Sequence, residues 1–316
     1  MMNFRKEEAS IFVSIASYRD PQLPLTVASL LNQADYPERV FIGVLNQVHL
    51  DKDKDCISID YPQMQQHVMD YNDAKGVCWA RGYIWSELLD QHDFALQIDS
   101  HSRFAKGWDT TLLEMYIKIN DEKAIITHYP MGFDTETNQL NEQMYTYFNV
   151  QKFRDTQLPE VSSGAIALDR APKQCAKTAF IAAGCLFGRG NVFKEVAYDP
   201  YIYFHGEEIT YAVRLWTHGY NLYLPNMPFM WHDYQNINQR PLHWQEHSMW
   251  QLKDKLAQQR CRHLLRIQKA DDLRALHQLE QYGLGFIRSL DEYQIFSGLN
   301  FQKQTLSNKV KTGTEY

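Results

Sequence analysis

Apolar runs of strand length alternate with segments of helical spacing along roughly the first 230 positions. Ile11 to Ala16 reads as a buried strand, and beyond the polar break at Tyr18-Arg19-Asp20-Pro21 the spacing predicts an amphipathic helix over Gln22 to Gln33. A second strand is predicted at Arg39 to Asn46, followed by apolar residues at helical spacing from Gly76 to Asp90. Further strands are expected at Phe94 to Ile98, Ala124 to His128 and Gly164 to Leu168, with a helix after Trp108. Such alternation builds βαβ units on a mostly parallel sheet, so the fold class is α/β. Ligands of these sheets sit beyond the carboxyl ends of the strands. The residues just after each apolar run therefore carry the functional reading.

From about Gln235 the pattern changes. Glu246 to Gln281 is rich in Leu, Gln, Lys, Arg and His at helical spacing, which predicts two or more helices ending at Tyr282-Gly283-Leu284-Gly285. An apolar and aromatic patch follows at Phe286 to Phe301, and then a polar tail, KQTLSNKVKTGTEY, expected to fray. The organisation read from this is a catalytic domain over 1–235 and a helical C-terminal extension with a polar tail over 236–316.

Composition narrows the function. With 316 residues, 44% apolar and 13% aromatic, the chain has ample material for a core and is not of the disordered type. Its 32 basic and 38 acidic residues leave a net charge of −6 with no long basic stripe, so nucleic acid is not an expected partner. The five cysteines form no CxxC pair and are odd in number, as in a reducing compartment with free thiols. The charged start leads into an apolar run too short for a signal peptide or a transmembrane span. The expected location is the cytoplasm, with peripheral membrane contact left open.

The strongest local signal is Asp99-Ser100-His101, directly after the strand Phe94 to Ile98. Two residues apart in extended backbone, a carboxylate and an imidazole point the same way and can reach one cation. The similar Asp90-Gln91-His92 sits in a connection and lacks that context. His232 ends the apolar stretch Met227 to Trp231; by itself it reads as a packed histidine at a core edge. Joined to Asp99 and His101 it completes an open N/O site suited to Mn²⁺ or Mg²⁺. Asp51-Lys52-Asp53-Lys54-Asp55 mimics a calcium loop, but Cys56 and Pro62 stand where Gly and Glu are needed, so a solvated loop is expected. Glu207 and Glu208 precede a helix running Ile209 to His218 and stopped by Gly219; the helix dipole favours acids at that N-terminus, and a role in holding hydroxyls is the functional alternative. Arg81 offers a planar fork for a diphosphate, or else a surface ion pair.

Taken in order, IFVSIASYRDPQL, GVCWARG, LQIDSHSRFAKGWD, FHGEEITYAVRLWTHGYNLYLP, MWHDY and YGLGFIRSLDEYQIFSGLNF resemble the glycosyltransferase family 60 proteins, polypeptide α-N-acetylglucosaminyltransferases. The resemblance spans Ile11 to Phe301. It implies a GT-A fold, that is, a Rossmann-like mixed sheet for nucleotide-diphospho-sugars. It further implies a UDP-GlcNAc donor, a divalent metal and retention of anomeric configuration. On it, the DxD-like motif falls on Asp99, Ser100 and His101, the third metal ligand on His232, and the Gly-Glu-Glu motif on Gly206, Glu207 and Glu208. Arg81 falls on the donor-side helix. Ser17, Tyr18, Arg19 and Asp20, with Asn46 and Gln47 close by, would face the uridine. The acceptor would be a hydroxyl of a protein or glycan.

The chemistry suits the residues. A divalent ion on Asp99, His101 and His232, aided by Arg81, would stabilise the charge that gathers on a departing diphosphate. A nucleotidyltransferase is the first alternative, but SYRDPQLP lacks the glycine-rich loop expected after the first strand. The second is a non-catalytic sugar-binding or scaffold protein on a transferase fold.

Overall fold

A computed structural model describes residues 8–57, 60–235 and 240–313. An eight-stranded sheet runs in the order Ala176–Thr178, Asn221–Leu224, Ala124–Thr127, Cys185–Arg189, Phe94–Asp99, Ile11–Tyr18, Val40–Val48 and Met64–Asp70. Four of its strands, Phe94–Asp99, Ile11–Tyr18, Val40–Val48 and Met64–Asp70, are parallel neighbours, as the alternating pattern predicts. Cys185–Arg189 lies antiparallel between Phe94–Asp99 and Ala124–Thr127, and Ala176–Thr178 is antiparallel at the edge, so the sheet is mixed, with six of its eight strands running the same way as expected.

Alternation along each strand divides the core between the two faces. On one face Ile11, Val13, Ile15, Leu96 and Ile98 meet the helices Leu23–Gln33 and Trp108–Ile119. Leu23, Val27 and Leu30 of the first helix are fully buried, and each burial contributes about 2 kcal/mol. On the other face Phe12 and Ala95 join Trp85, Tyr211 and Val213, from the Ile84–Leu88 and Glu207–Thr217 helical segments.

Several sequence expectations need correction. The Gly76 to Asp90 segment is helical only from Val77 to Tyr83 and then widens into a π-type turn at Ile84–Leu88. The strand expected at Gly164 to Leu168 belongs to Pro159–Ile166, which pairs with Tyr145–Phe153 in a ribbon outside the main sheet. Between Glu246 and Gln281 there is one long helix, Trp250–Leu264, and a short 3₁₀ turn at Leu273–Leu276 instead of two helices. The tail does not fray over its described part: Asn308–Thr312 is helical and buries Val310 in the same core as Tyr293 and Phe301. Tail residues 314–316, and residues 1–7 on which the reading of the charged start rests, lie outside the described residues. All five cysteines are free thiols. Among the described residues no helix is long and apolar enough to cross a membrane.

Candidate active site

Asp99 is the last residue of its strand, and the chain then turns through Ser100 and His101 into the short strand Ser102–Phe104. That strand pairs antiparallel with Met230–His232, setting His232 opposite Ser102. This pairing closes a gap of more than a hundred residues in sequence. One ligand atom from each of Asp99, His101 and His232 lies within 4.8 Å of the others. His232 Nε2 is 3.0 Å from Asp99 Oδ2, and the two imidazole rings stand edge to face at 4.6 Å.

The set fits a divalent cation on two observations. Its donors are one carboxylate and two imidazoles, the mix that suits Mn²⁺ and its neighbours. Gly184 leaves the space: a Cβ there would sit 2.6 Å from Asp99 Oδ2. Arg240 Nη2 lies 3.0 Å from the third donor, His101 Nε2, and would have to release it to a cation.

Behind His101 stands Asp20, which the sequence reading placed only near the uridine. Asp20 Oδ2 is 2.7 Å from His101 Nδ1 and accepts from Ser100 Oγ at 2.7 Å and from Arg240 Nη1 at 3.2 Å. Burial works against its ionisation, but His101, Arg240 and Ser100 outweigh it and hold the carboxyl well below the usual range. A carboxylate bonded to the far nitrogen of a ligating histidine fixes the ring's orientation. Ser100 thus serves Asp20 rather than a cation.

Arg81, expected either at a diphosphate or on the surface, is 3% exposed. It donates to Asp99 Oδ1 at 2.6 Å and to Glu207 Oε1, which Tyr198 also binds. Burial opposes the charge on Asp99, yet Arg81 and His232 hold its carboxyl well below the usual range. Glu208 accepts from the Ala183 N–H at 2.9 Å and from the Tyr129 hydroxyl. Burial pushes its carboxyl up to about 7, against the pull of these two donors. The helix can begin here because Gly206 takes φ +95°, where a Cβ would also lie 2.5 Å from Cys261 Sγ.

Two cavities meet at this cluster. One, of about 280 Å³, is lined by Ser17, Tyr18, Gln47, Arg81, Asp99 and Ser100, among others. The other, of about 330 Å³, is lined by Tyr129, Arg154, Glu207, Glu208 and again Arg81 and Asp99. Ser17 Oγ and Gln47 Oε1 are buried without a hydrogen-bond partner among the described residues. Residues 240–247 lie over the first cavity, where Glu246 accepts from Tyr18 and pairs with Arg19.

Two residues expected at the uridine are turned elsewhere. Arg19 forks onto Asp53 at 2.6 and 3.1 Å, and Asn46 donates to the Cys56 carbonyl at 2.9 Å; neither lines the cavity. Asn46 and Gln47 are consecutive in one strand and so face opposite ways. The Asp51 to Asp55 loop is exposed as expected at Asp51, Lys52, Lys54 and Asp55, while Asp53 turns inward to Arg19. Tyr129, Tyr198, Gly184 and Arg240 were not singled out as site residues, and Asp20 was expected at the uridine rather than behind a metal ligand. Only Asp20, directly after the first strand, carried a positional signal.

The chain is similar to solved glycosyltransferase structures. Against GalNAc-T7 with UDP, GalNAc and Mn²⁺ the TM-score is 0.59 at 16% identity, covering 92% of this chain and 57% of that one. The chain thus spans little more than half of that relative's length. S. aureus TarS 1-349 in complex with UDP scores 0.48 at 10% identity, covering 86% of this chain and 69% of that one. The same TarS fragment with UDP-GlcNAc scores 0.45 at 9% identity, over 86% and 78%. No curated protein matches the sequence. The fold is that of the GT-A glycosyltransferases, with a large mixed sheet. The family described as Glycosyltransferase (GlcNAc) matches residues 10–66 and 59–303, which is most of the chain. The protein belongs to this glycosyltransferase family.

Proposed function

We propose that the protein is a retaining, divalent-metal-dependent glycosyltransferase that moves GlcNAc from UDP-GlcNAc to a hydroxyl of a protein or glycan, as a member of family 60. The observation that carries this reading is the meeting of Asp99, His101 and His232 with Arg81 at the junction of two cavities. One cavity suits the nucleotide and the other the sugar and its acceptor. The unpartnered Ser17 Oγ and Gln47 Oε1 support a polar ligand such as uridine in the first. Five free thiols support work in the cytoplasm.

A Mn²⁺ or Mg²⁺ ion on Asp99, His101 and His232 would neutralise charge on the leaving diphosphate. The chain's own groups do the rest. Asp20 fixes the His101 ring, and Arg81 sets a second positive charge beside Asp99. Glu207, held by Arg81 and Tyr198, is a fixed acceptor for sugar hydroxyls. Glu208, held by Tyr129 and the Ala183 amide, orients the acceptor hydroxyl. As the bond from the anomeric carbon to the phosphate oxygen breaks, the acceptor oxygen bonds to that carbon from the same face. The hydroxyl proton passes to the departing phosphate oxygen, so the configuration is kept and no protein nucleophile is needed.

The test is UDP release from a panel of UDP-sugars incubated with the purified protein and Mn²⁺. Metal-dependent release that is fastest from UDP-GlcNAc supports the reading. No release from any UDP-sugar, together with a melting temperature unmoved by UDP and Mn²⁺, would overturn it.

A further inference from the structure

We propose that the groove across the Val77–Tyr83 helix from the nucleotide cavity docks an acidic segment of a polypeptide acceptor, an inference that rests on the acceptor being a protein. The groove encloses about 950 Å³, against about 280 Å³ for the nucleotide cavity. Its walls combine Trp79, Tyr83 and Tyr201 with Lys75, Lys194 and Lys253.

Charge selects the occupant. Two arginines in the wall are already matched, Arg260 to Asp199 at 2.6 Å and Arg274 to Asp272 at 2.7 Å. None of the three lysines has an acidic partner within 4 Å among the described residues, and Glu87 is the remaining acid of the lining. Burial and the neighbouring Lys75 both disfavour the charge on Lys253. A carboxylate between these ammonium groups relieves that repulsion. On a chain of net charge −6 this cationic groove runs against the average.

Shape and stacking select a peptide over other anions. A phosphate fills a small part of the volume, whereas several residues of extended chain fill it. A sugar needs open aromatic faces, and here cations cover two of the three: Lys75 lies 5.0 Å over Trp79, and the Arg260 guanidinium 5.1 Å over Tyr201. The groove also borders the chemistry. Tyr203 lines both the groove and the nucleotide cavity, and the next residue, Phe204, lines both cavities that meet at Asp99.

The experiment uses the full chain and fluorescein-labelled decaglutamate at low salt, with a neutral Gly-Ser peptide of equal length, hyaluronan oligosaccharide and inorganic phosphate as competitors. Decaglutamate is expected to bind and the other three to compete poorly. Lys75→Gln with Lys253→Gln is expected to weaken binding about tenfold while metal-dependent UDP release stays at the wild-type rate. Absent binding, equal binding by the double variant, or better competition by hyaluronan or phosphate would each overturn the groove assignment. Peptide binding without any UDP release would leave the groove standing and remove the transferase reading instead.

Discussion

Arg81 and Arg260 are both buried, at 3% and 1% exposure, and both hold carboxyl groups, yet their surroundings differ. Arg260 meets a single acid, Asp199, and spends its Nη1 on the carbonyls of Ala275 at 2.9 Å and His277 at 2.8 Å. Arg260 bonds one acid, with Arg214 also in the field of Asp199, and the guanidinium staples the C-terminal segment to the rest of the core. Arg81 is shared between two acids, Asp99 and Glu207, at the meeting point of two cavities. The first is a closed brace. The second is a cluster formally short of positive charge, open to ligands on two sides, and that shortage is what a divalent cation would fill.

The comparison breaks most sharply at Asp99. Asp99→Ala is expected to lower UDP release by about a thousandfold or more while the melting temperature barely moves, and turnover near wild type would remove the metal assignment. Arg260→Met should give the reverse profile. Loss of the partner strands Asp199 and costs about 3–5 kcal/mol in chemical denaturation, with turnover per folded molecule retained. A turnover defect without a stability defect would move Arg260 from the brace to the chemistry.

Glu208 sharpens the contrast through pH. Its carboxyl is raised to about 7, so between the ordinary value near 4.3 and 7 the folded state keeps a proton that the unfolded chain has lost. Stability is therefore expected to fall as pH rises through that window, by about 3 kcal/mol at most, and Glu208→Gln should flatten this slope. The same variant should lower turnover more than UDP affinity; equal losses would point to the nucleotide instead. Asp20→Asn is expected to raise the Mn²⁺ concentration needed for half-maximal UDP release by about 10–100-fold. An unchanged metal requirement would show that Asp20 does not act through His101. The smallest effect belongs to Asp51→Ala, in the exposed loop that mimics a calcium site, which should stay within about 0.5 kcal/mol in stability and leave turnover intact.

The buried strands Ile11–Tyr18 and Phe94–Asp99 were legible because an unbroken apolar run of that length has few other uses, and Asp99 was legible because it ends one of them. Cys185–Arg189 escaped notice. Its apolar residues are interrupted by Gly188 and continue out of AFIAAG, so nothing local separates it from a loop. The role of Gly184 was equally hidden, because its value lies in the room it leaves beside Asp99. The tail misled for the opposite reason: a polar composition conceals one buried residue, Val310, that packs among Tyr293 and Phe301.

Periodicity and strand ends are local properties, set by side-chain spacing along a few residues. By themselves they determined the α/β class, the helices predicted at Gln22 to Gln33 and Ile209 to His218, and the placing of Asp99, His101 and His232 at the ends of apolar runs. Convergence is not local. Only the pairing of Met230–His232 with Ser102–Phe104 set His232 against Asp99, and only the packing of distant segments brought Asp20 behind His101 and two acids onto Arg81. Each of these contacts joins residues tens to hundreds of positions apart, and the energy that fixes them comes from burial and charge matching across the whole core.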